Sequence, residues 1–287
     1  MTPAAAPFAE DRGAREAKRA IDKMLTLSVM QISATLDQVR AKSTALADFL
    51  GRHQGAQRAY AYVALAGKLL SQCEVQVSRL RAFAFPLAEV TAAVAAAHPD
   101  FADVLLGRLH AASPAAVPAS YGYRPGADEA AYLRLAGYRV AEGAGGDAPR
   151  PEPTDEFVAR TCGYVALYAA LVQSDNPANP HGLAHGWAWL ARALNALPAT
   201  RATAAALDAF LEVAGWRLAR AYRGQFLKAM AALQRDFLPE LAAAAEQDPD
   251  ARAVLARLQA YLRARRFEAP PEGREMPQYD ASSYDRA

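Results

Sequence analysis

Apolar residues recur along this chain at three- and four-residue intervals, the spacing of one face of an α-helix. Tyr62, Ala66, Leu69, Leu70, Cys73 and Val77 form one such stripe, and Leu207, Phe210, Leu211, Ala214 and Leu218 form another. Tyr222, Phe226, Met230, Leu233 and Phe237 make a third; Val254, Leu255, Leu258, Tyr261 and Leu262 close the series. The pattern predicts a helix from Glu10 to about Phe49, ended by Gly51 and Gly55. Further helices are predicted from Phe85 to Ala97, from Phe101 to Ala112 and from Asp128 to Gly137, with His98-Pro99-Asp100 as punctuation. Thr154 is a candidate cap with Asp155 and Glu156 in the first turn, and Asp248-Pro249 caps the last helix. Ser113–Gly126 and the Gly/Pro-rich stretch from Gly143 to Pro153 read as loops. No alternating run is long enough to predict a strand.

Serial amphipathic helices with short connections predict an all-α, HEAT-repeat-like α-solenoid of stacked helix pairs. The expected organisation is a disordered tail over 1–8 and a single helical domain over 9–267. The loop near 141–153 would separate two lobes, and 268–287 would be an extended or disordered tail. Composition adds to this. The hydrophobic fraction is 53%, much of it Ala, which favours helix but buries little area, so the larger side chains must carry the packing. A net charge of +2 demands neither nucleic acid nor membrane, so strong direct nucleic-acid binding is not expected. Two distant cysteines, Cys73 and Cys162, make no disulfide framework and read as buried, inert thiols in a reducing compartment. With no secretory leader pattern and no long apolar run, no membrane association is expected.

The densest segment is Asn179–Pro198, "NPHGLAHGWAWLARALNALP". His181 and His185 are four apart and would share a helical face, which raises a metal reading. Gly182, however, stands where a zinc-protease helix needs Glu, and a catalytic zinc needs a third ligand. The remaining histidines, His53, His98 and His110, have no companion spacing. The residues therefore read as packing and hydrogen-bonding groups at a helix start, with Asn179 as cap, Pro180 at the first turn, and Gly182 and Gly186 allowing close helix approach. Trp187 and Trp189 must point to different sides, one into the core and the other under a neighbouring helix or partner. No phosphate loop and no nucleophile elbow occurs. Basic residues in the first helix (Arg12, Arg15, Lys18, Arg19, Lys23) and the last (Arg252, Arg257, Arg263, Arg265, Arg266) read as solvated faces. They are also the feature on which a generic scaffold binding RNA or translation factors would rest.

Several blocks, in order, carry a resemblance: "LLSQCEVQV" (Leu69–Val77), "HPDFADVLLGRLHAASPAAVP" (His98–Pro118), "CGYVALYAALVQ" (Cys162–Gln173), "HGLAHGWAWLARALN" (His181–Asn195) and "LDAFLEVAGWRLARAYRGQF" (Leu207–Phe226). From about Ala17 to Phe267 the chain resembles the C-terminal domain of the Gle-one family of nuclear-pore-associated mRNA export mediators. The resemblance implies a non-catalytic, HEAT-like domain that binds a DEAD-box RNA helicase at the cytoplasmic face of the nuclear pore. There it would hold the helicase's two lobes apart and stimulate its ATPase cycle. An FG-type nucleoporin and translation initiation or termination factors are the further partners it implies. His181, Gly182, His185, Gly186, Trp187 and Trp189 would be structural or partner-facing. No cofactor is expected to be required.

In fungal members inositol hexakisphosphate joins the two proteins. The basic positions of such a pocket read here as Gly67, Ser71, Ala111 and Ala112, whereas Arg108 matches and Lys68 falls one residue off. Lys23, Arg40 and Lys42 lie in the N-terminal segment that also contributes. The resemblance thus implies a depleted pocket with Lys23, Lys42, Lys68 and Arg108 as candidate contacts, and a tether that is weak or lost. The coiled-coil region of full family members does not appear, so self-association through it is not expected.

Overall fold

The computed structural model describes residues 3–142 and 149–279. Two rows of helices build it. One row comprises α2 (Arg15–Met30), α4 (Gly55–Gln72) and α6 (Pro99–Ala112), each packed on the next. The other runs α3 (Leu36–Gly51), α5 (Ala84–Ala97), α8 (Thr154–Leu171), α10 (Arg201–Tyr222) and α13 (Pro249–Arg263). Cross-contacts α2–α3, α3–α4 and α5–α6 pair the rows, giving the all-α solenoid that the stripes predict. Short α1 (Ala6–Glu10) packs on α4, and α9 (Leu183–Ala196) and α11 (Gly224–Ala232) flank α10. Helices α7 (Glu129–Leu135) and α12 (Leu238–Ala244) complete the set. Helix α8 lies between α5 and α10 and is buried on nearly all sides from Phe157 to Leu171. A helix apolar all round belongs in a core. One hydrophobic cluster runs from Ile21 to Phe267.

The capping residues follow local chemistry. Asp128 accepts from the Ala130 and Ala131 amides, and Asp248 from those of Asp250 and Ala251, so both acids satisfy otherwise orphaned donors. Thr154 does not cap: it lies in the first turn of α8, with Pro153 before it. The helix expected from Glu10 to Phe49 is two helices. The chain breaks between Met30 and Leu36, where Thr35 Oγ1 accepts from the Gln38 amide at 3.4 Å. Of the segment expected to be a disordered tail over 1–8, residues 3–8 are described and lead into α1. Ala5 is buried, and the Phe8 ring stands edge-on to Tyr60 at 5.4 Å. Lys18 Nζ donates to the carbonyls of Ala9 and Asp11, placing a cation at the end of α1.

The segment expected to be loop from Gly143 to Pro153 lies partly outside the described residues. Its flanks form a two-residue antiparallel ladder of β1 (Val140–Ala141) and β2 (Arg150–Pro151), too short to leave an alternating signal. From residue 269 to residue 279 the chain runs through turns and bends and packs back on the helices, and 280–287 of the expected extended or disordered tail lie outside the described residues. Gly273 adopts φ +82 against Ala82, where a Cβ would come within 2.7 Å of the Ala82 carbonyl oxygen. Arg274 pairs with Asp175, and Met276 packs on the core. The carbonyls of Pro277 and Gln278 accept from the amides of Leu36 and Asp37 at 2.9 and 3.1 Å. This strap therefore supplies acceptors that the first turn of α3 needs, which local reading of either segment could not show.

Candidate partner-binding site

The end of α4 widens into a π-helical segment, Cys73–Val77, in which the Ser78 amide donates to the Cys73 carbonyl at 2.9 Å. Helix α8 meets this turn at backbone distance: a Cβ on Gly163 would lie 2.4 Å from the Cys73 oxygen. The widened turn presents Glu74 to the start of β1 and to α8. Arg139 grips the Glu74 carboxylate with both terminal nitrogens, at 2.6 and 3.0 Å, and the Tyr164 hydroxyl donates to it as well. Burial alone would raise the Glu74 pKa. The hydrogen bonds from Arg139 and Tyr164, with the Arg139 charge, outweigh burial and hold the carboxyl below its ordinary range. Burial and the neighbouring Glu74 push the Tyr164 hydroxyl upward.

Beside this cluster is a cavity of about 450 Å³ whose wall includes Gly67, Ser71, Arg108, Ala111 and Ala112. These are the positions the resemblance assigns to a polyphosphate pocket, and the fold brings them together from two helices. The other candidate contacts do not join them. Lys68 sits on α4 outside the cavity wall, Lys23 is exposed on α2, and Lys42 donates to Gln31 Oε1 at 2.7 Å. Among the described residues, Arg108 makes no ion pair.

Behind the cavity lies a residue that pattern reading missed. Arg160 is only 5% exposed yet charged. It pairs with Glu152 and donates to the carbonyls of Ala112 and Gly137 at 3.0 and 2.9 Å. Its guanidinium also lies 5.7 Å from the Phe157 and Tyr164 ring centres. It thereby ties the ends of α6 and α7 and the segment after β2 to α8. The only sequence signal was a lone Arg inside the apolar run "FVARTCGYV". Asp208 is a second such group, 6% exposed and held by Arg81 and Arg257 at 3.0 and 3.1 Å.

The His-Gly-Trp segment is organised differently from expectation. Helix α9 begins at Leu183 with Gly182 at its cap, so His181 and Pro180 precede the helix. Asn179 does not cap it. Its Oδ1 accepts from the His181 amide at 3.1 Å while its Nδ2 donates to the Leu171 carbonyl at 2.8 Å. The two imidazoles nevertheless stack at 3.8 Å, and the Tyr168 hydroxyl lies 2.9 Å from His181 Nε2. Burial, then His185 and His110, lower the His181 pKa to about 4. Among the described residues, no group of three or more potential metal ligands occurs. Gly186 makes the expected close approach, since a Cβ there would sit 2.8 Å from Val172 Cγ2, whereas Gly182 faces open space.

Trp189 is 2% exposed, stacks on Phe210 at 4.1 Å and donates Nε1–H to the Ala115 carbonyl at 2.9 Å. Trp187 is half-buried, stacks on Tyr222 at 4.5 Å and lines a groove of about 450 Å³ between α9 and α11. Burial raises both thiol pKa values, Cys162 to about 11, so neither is an activated nucleophile. Arg257 and Arg265 of the last basic run are paired, with Asp208 and Glu268, while Arg15, Arg19 and Lys23 are exposed.

Over 185 residues the chain is 36% identical to the mRNA export factor GLE1 of Rattus norvegicus, which covers 62% of this chain and 26% of that protein. It is 47% identical over 114 residues to the Arabidopsis thaliana protein of the same name, covering 38% of this chain and 18% of the relative. The chain thus spans about a quarter of the length of the animal relatives it matches. Its fold is that of one chain of the solved S. cerevisiae assembly of the Dbp5 L327V C-terminal domain bound to Gle1 and IP6. That match has a TM-score of 0.81 at 16% identity and covers 93% of this chain and 90% of the other. The GLE1-like protein family model matches residues 3–234, and the chain belongs to that family.

Proposed function

We propose that this chain is a non-catalytic activator of a DEAD-box RNA helicase, acting in mRNA export at the cytoplasmic face of the nuclear pore. The carrying observation is a fold match over 93% of the chain to a domain captured with Dbp5, joined to family membership over residues 3–234. The physical role is a population shift. A rigid helical surface that binds the separated arrangement of the helicase lobes more tightly than the closed one favours opening and product release. The two-row solenoid suits that role: its core is continuous from Ile21 to Phe267, and buried ties such as Arg160 fix its loops to the central helix. An FG-type nucleoporin as second partner rests on the family resemblance.

The test is isothermal titration of this chain with the isolated C-terminal lobe of the cognate export helicase. The proposal expects a saturable one-to-one complex. Absence of binding to that lobe and to the whole helicase, with RNA bound directly instead, overturns it in favour of an RNA-binding scaffold.

A further inference from the structure

A second hollow, of about 440 Å³, opens where the starts of α8 and α10 meet the turns flanking α7. It shares no wall residue with the α4–α6 cavity. Aromatic rings dominate its wall: Tyr121, Tyr132, Tyr138 and Phe157. Local chemistry sets them there. Gly137 ends α7 at φ +97, and a Cβ on it would come within 2.6 Å of Pro114 Cδ, so glycine lets this turn close on the segment after α6. The turn lays Tyr138 flat on Phe157 of α8, with ring centres 3.9 Å apart. Tyr132 stands edge-on to Tyr123 at 5.2 Å. Two ties hold the wall in place. Arg160 fixes the Gly137 carbonyl, and Trp189 fixes that of Ala115, which also lines the hollow. A hollow braced in this way is preformed, which lowers the cost of ordering it around a ligand.

Several of its hydroxyls lack partners. Among the described residues, those of Tyr121, Tyr132 and Tyr138 make no hydrogen bond, and neither does Thr161 Oγ1, although Thr161 is only 1% exposed. A buried hydroxyl left unpaired is costly, and here it faces a hollow lined with other free donors. The rim is net negative: Arg201 pairs with both Asp155 and Asp250, and Asp248 adds a third carboxylate. We infer that this hollow binds a proline-rich segment of a partner protein in the polyproline II conformation, with a basic residue beside the prolines. Aromatic-lined grooves take such segments because proline rings pack on aromatic faces and the chain is already extended and stiff. Polyproline II leaves its carbonyls unbonded, and proline has no N–H. Such a segment brings acceptors alone, and the unpaired hydroxyls of the wall supply the donors. A helical partner satisfies its own backbone and leaves those donors unused. The basic residue answers the carboxylates of Asp155, Asp248 and Asp250. Nothing in this site depends on the activator role or on the α4–α6 cavity.

The test is fluorescence anisotropy on the whole chain, without helicase, using a labelled oligoproline that carries arginine at both ends. The expected result is saturable, salt-sensitive binding. The same oligoproline ended in glutamate, and a glycine-serine peptide ended in arginine, should each bind at least about tenfold more weakly. Tyr121 is 40% exposed, so Tyr121→Ser spares the fold and should weaken binding about tenfold. Thr161→Val removes an unpaired hydroxyl at nearly constant shape. It should weaken binding about threefold or more while leaving the melting temperature unchanged or higher, a combination that a merely structural residue does not give. Silence of the wild type overturns the inference. So does equal binding of either control peptide, or binding indifferent to Tyr121→Ser or to Thr161→Val. A lower melting temperature for Thr161→Val would mean that its hydroxyl is already partnered, and overturns the site as drawn. A labelled oligouridylate that binds in place of the oligoproline, and is lost in Tyr121→Ser, would assign the tyrosines to RNA base stacking instead.

Discussion

Replacing Trp189 by alanine separates the two tryptophans of the His-Gly-Trp segment by energy. A buried aromatic side chain hides about 150–250 Å². At about 25 cal/mol per Å² that is about 4–6 kcal/mol of transfer energy, an upper figure because alanine retains part of the contact. Trp189 is 2% exposed, and its Nε1–H bond to the Ala115 carbonyl adds about 1 kcal/mol. Measured truncations of buried aromatics cost about 3–5 kcal/mol, so Trp189→Ala is expected to cost about 4 kcal/mol. Trp187 stacks on Tyr222 at 4.5 Å but opens onto the groove beside α11, so Trp187→Ala should cost about 2 kcal/mol or less. Trp189→Phe keeps the stack on Phe210 and loses the hydrogen bond, for about 1–2 kcal/mol. Urea unfolding followed by circular dichroism reads all three, with m unchanged if only stability moves. Equal losses from the two alanine variants, or a Trp189→Ala loss below about 1 kcal/mol, would refute the core assignment of Trp189.

Other substitutions test other parts of the structure. Arg160→Met strands Glu152 and two carbonyls, and thermal unfolding should register a loss of about 3–5 kcal/mol, partly recovered when Glu152→Leu is added. His181 titrates near 4 when folded and near 6.5 when unfolded, so the folded state binds fewer protons between those values. Its stabilising effect is therefore full above pH 6.5 and is lost as pH falls toward 4. Allowing for solvent screening of a half-exposed ring, the loss is about 1–2 kcal/mol, and His181→Gln should flatten the stability profile in that window. Gly186→Ala drives a methyl into Val172 and should cost about 1–3 kcal/mol, with Val172→Ala restoring part of it; additive losses would contradict that contact.

Features set by a helix's own periodicity or by a residue two or three positions away were legible in the chain. The stripes through Leu69, Leu211 and Leu258 mark buried faces, and Asp128 and Asp248 cap where their spacing says they should. Features set by distant partners were not. The break before Thr35 depends partly on Pro277 and Gln278 returning to supply acceptors, and a polar, Pro-rich tail gives no sign of a docking site. Arg160 looks like an interruption of an apolar helix until Glu152, Ala112 and Gly137 converge on it. Nothing near Glu74 in the sequence marks its partner. Its role appears only once a π-turn presents it to Arg139, which lies 65 residues away. The histidine pair shows the reverse. The four-residue spacing correctly put His181 beside His185, but through a turn entering α9 rather than along the helix.

The most direct test of the central claim is RNA-stimulated ATP hydrolysis by the cognate export helicase with this chain added, with and without inositol hexakisphosphate. The account predicts a severalfold rise in turnover that is the same in both conditions. Unchanged turnover in both would contradict the activator role, and a rise confined to the polyphosphate arm would contradict the reading of a depleted pocket at Gly67, Ser71, Ala111 and Ala112.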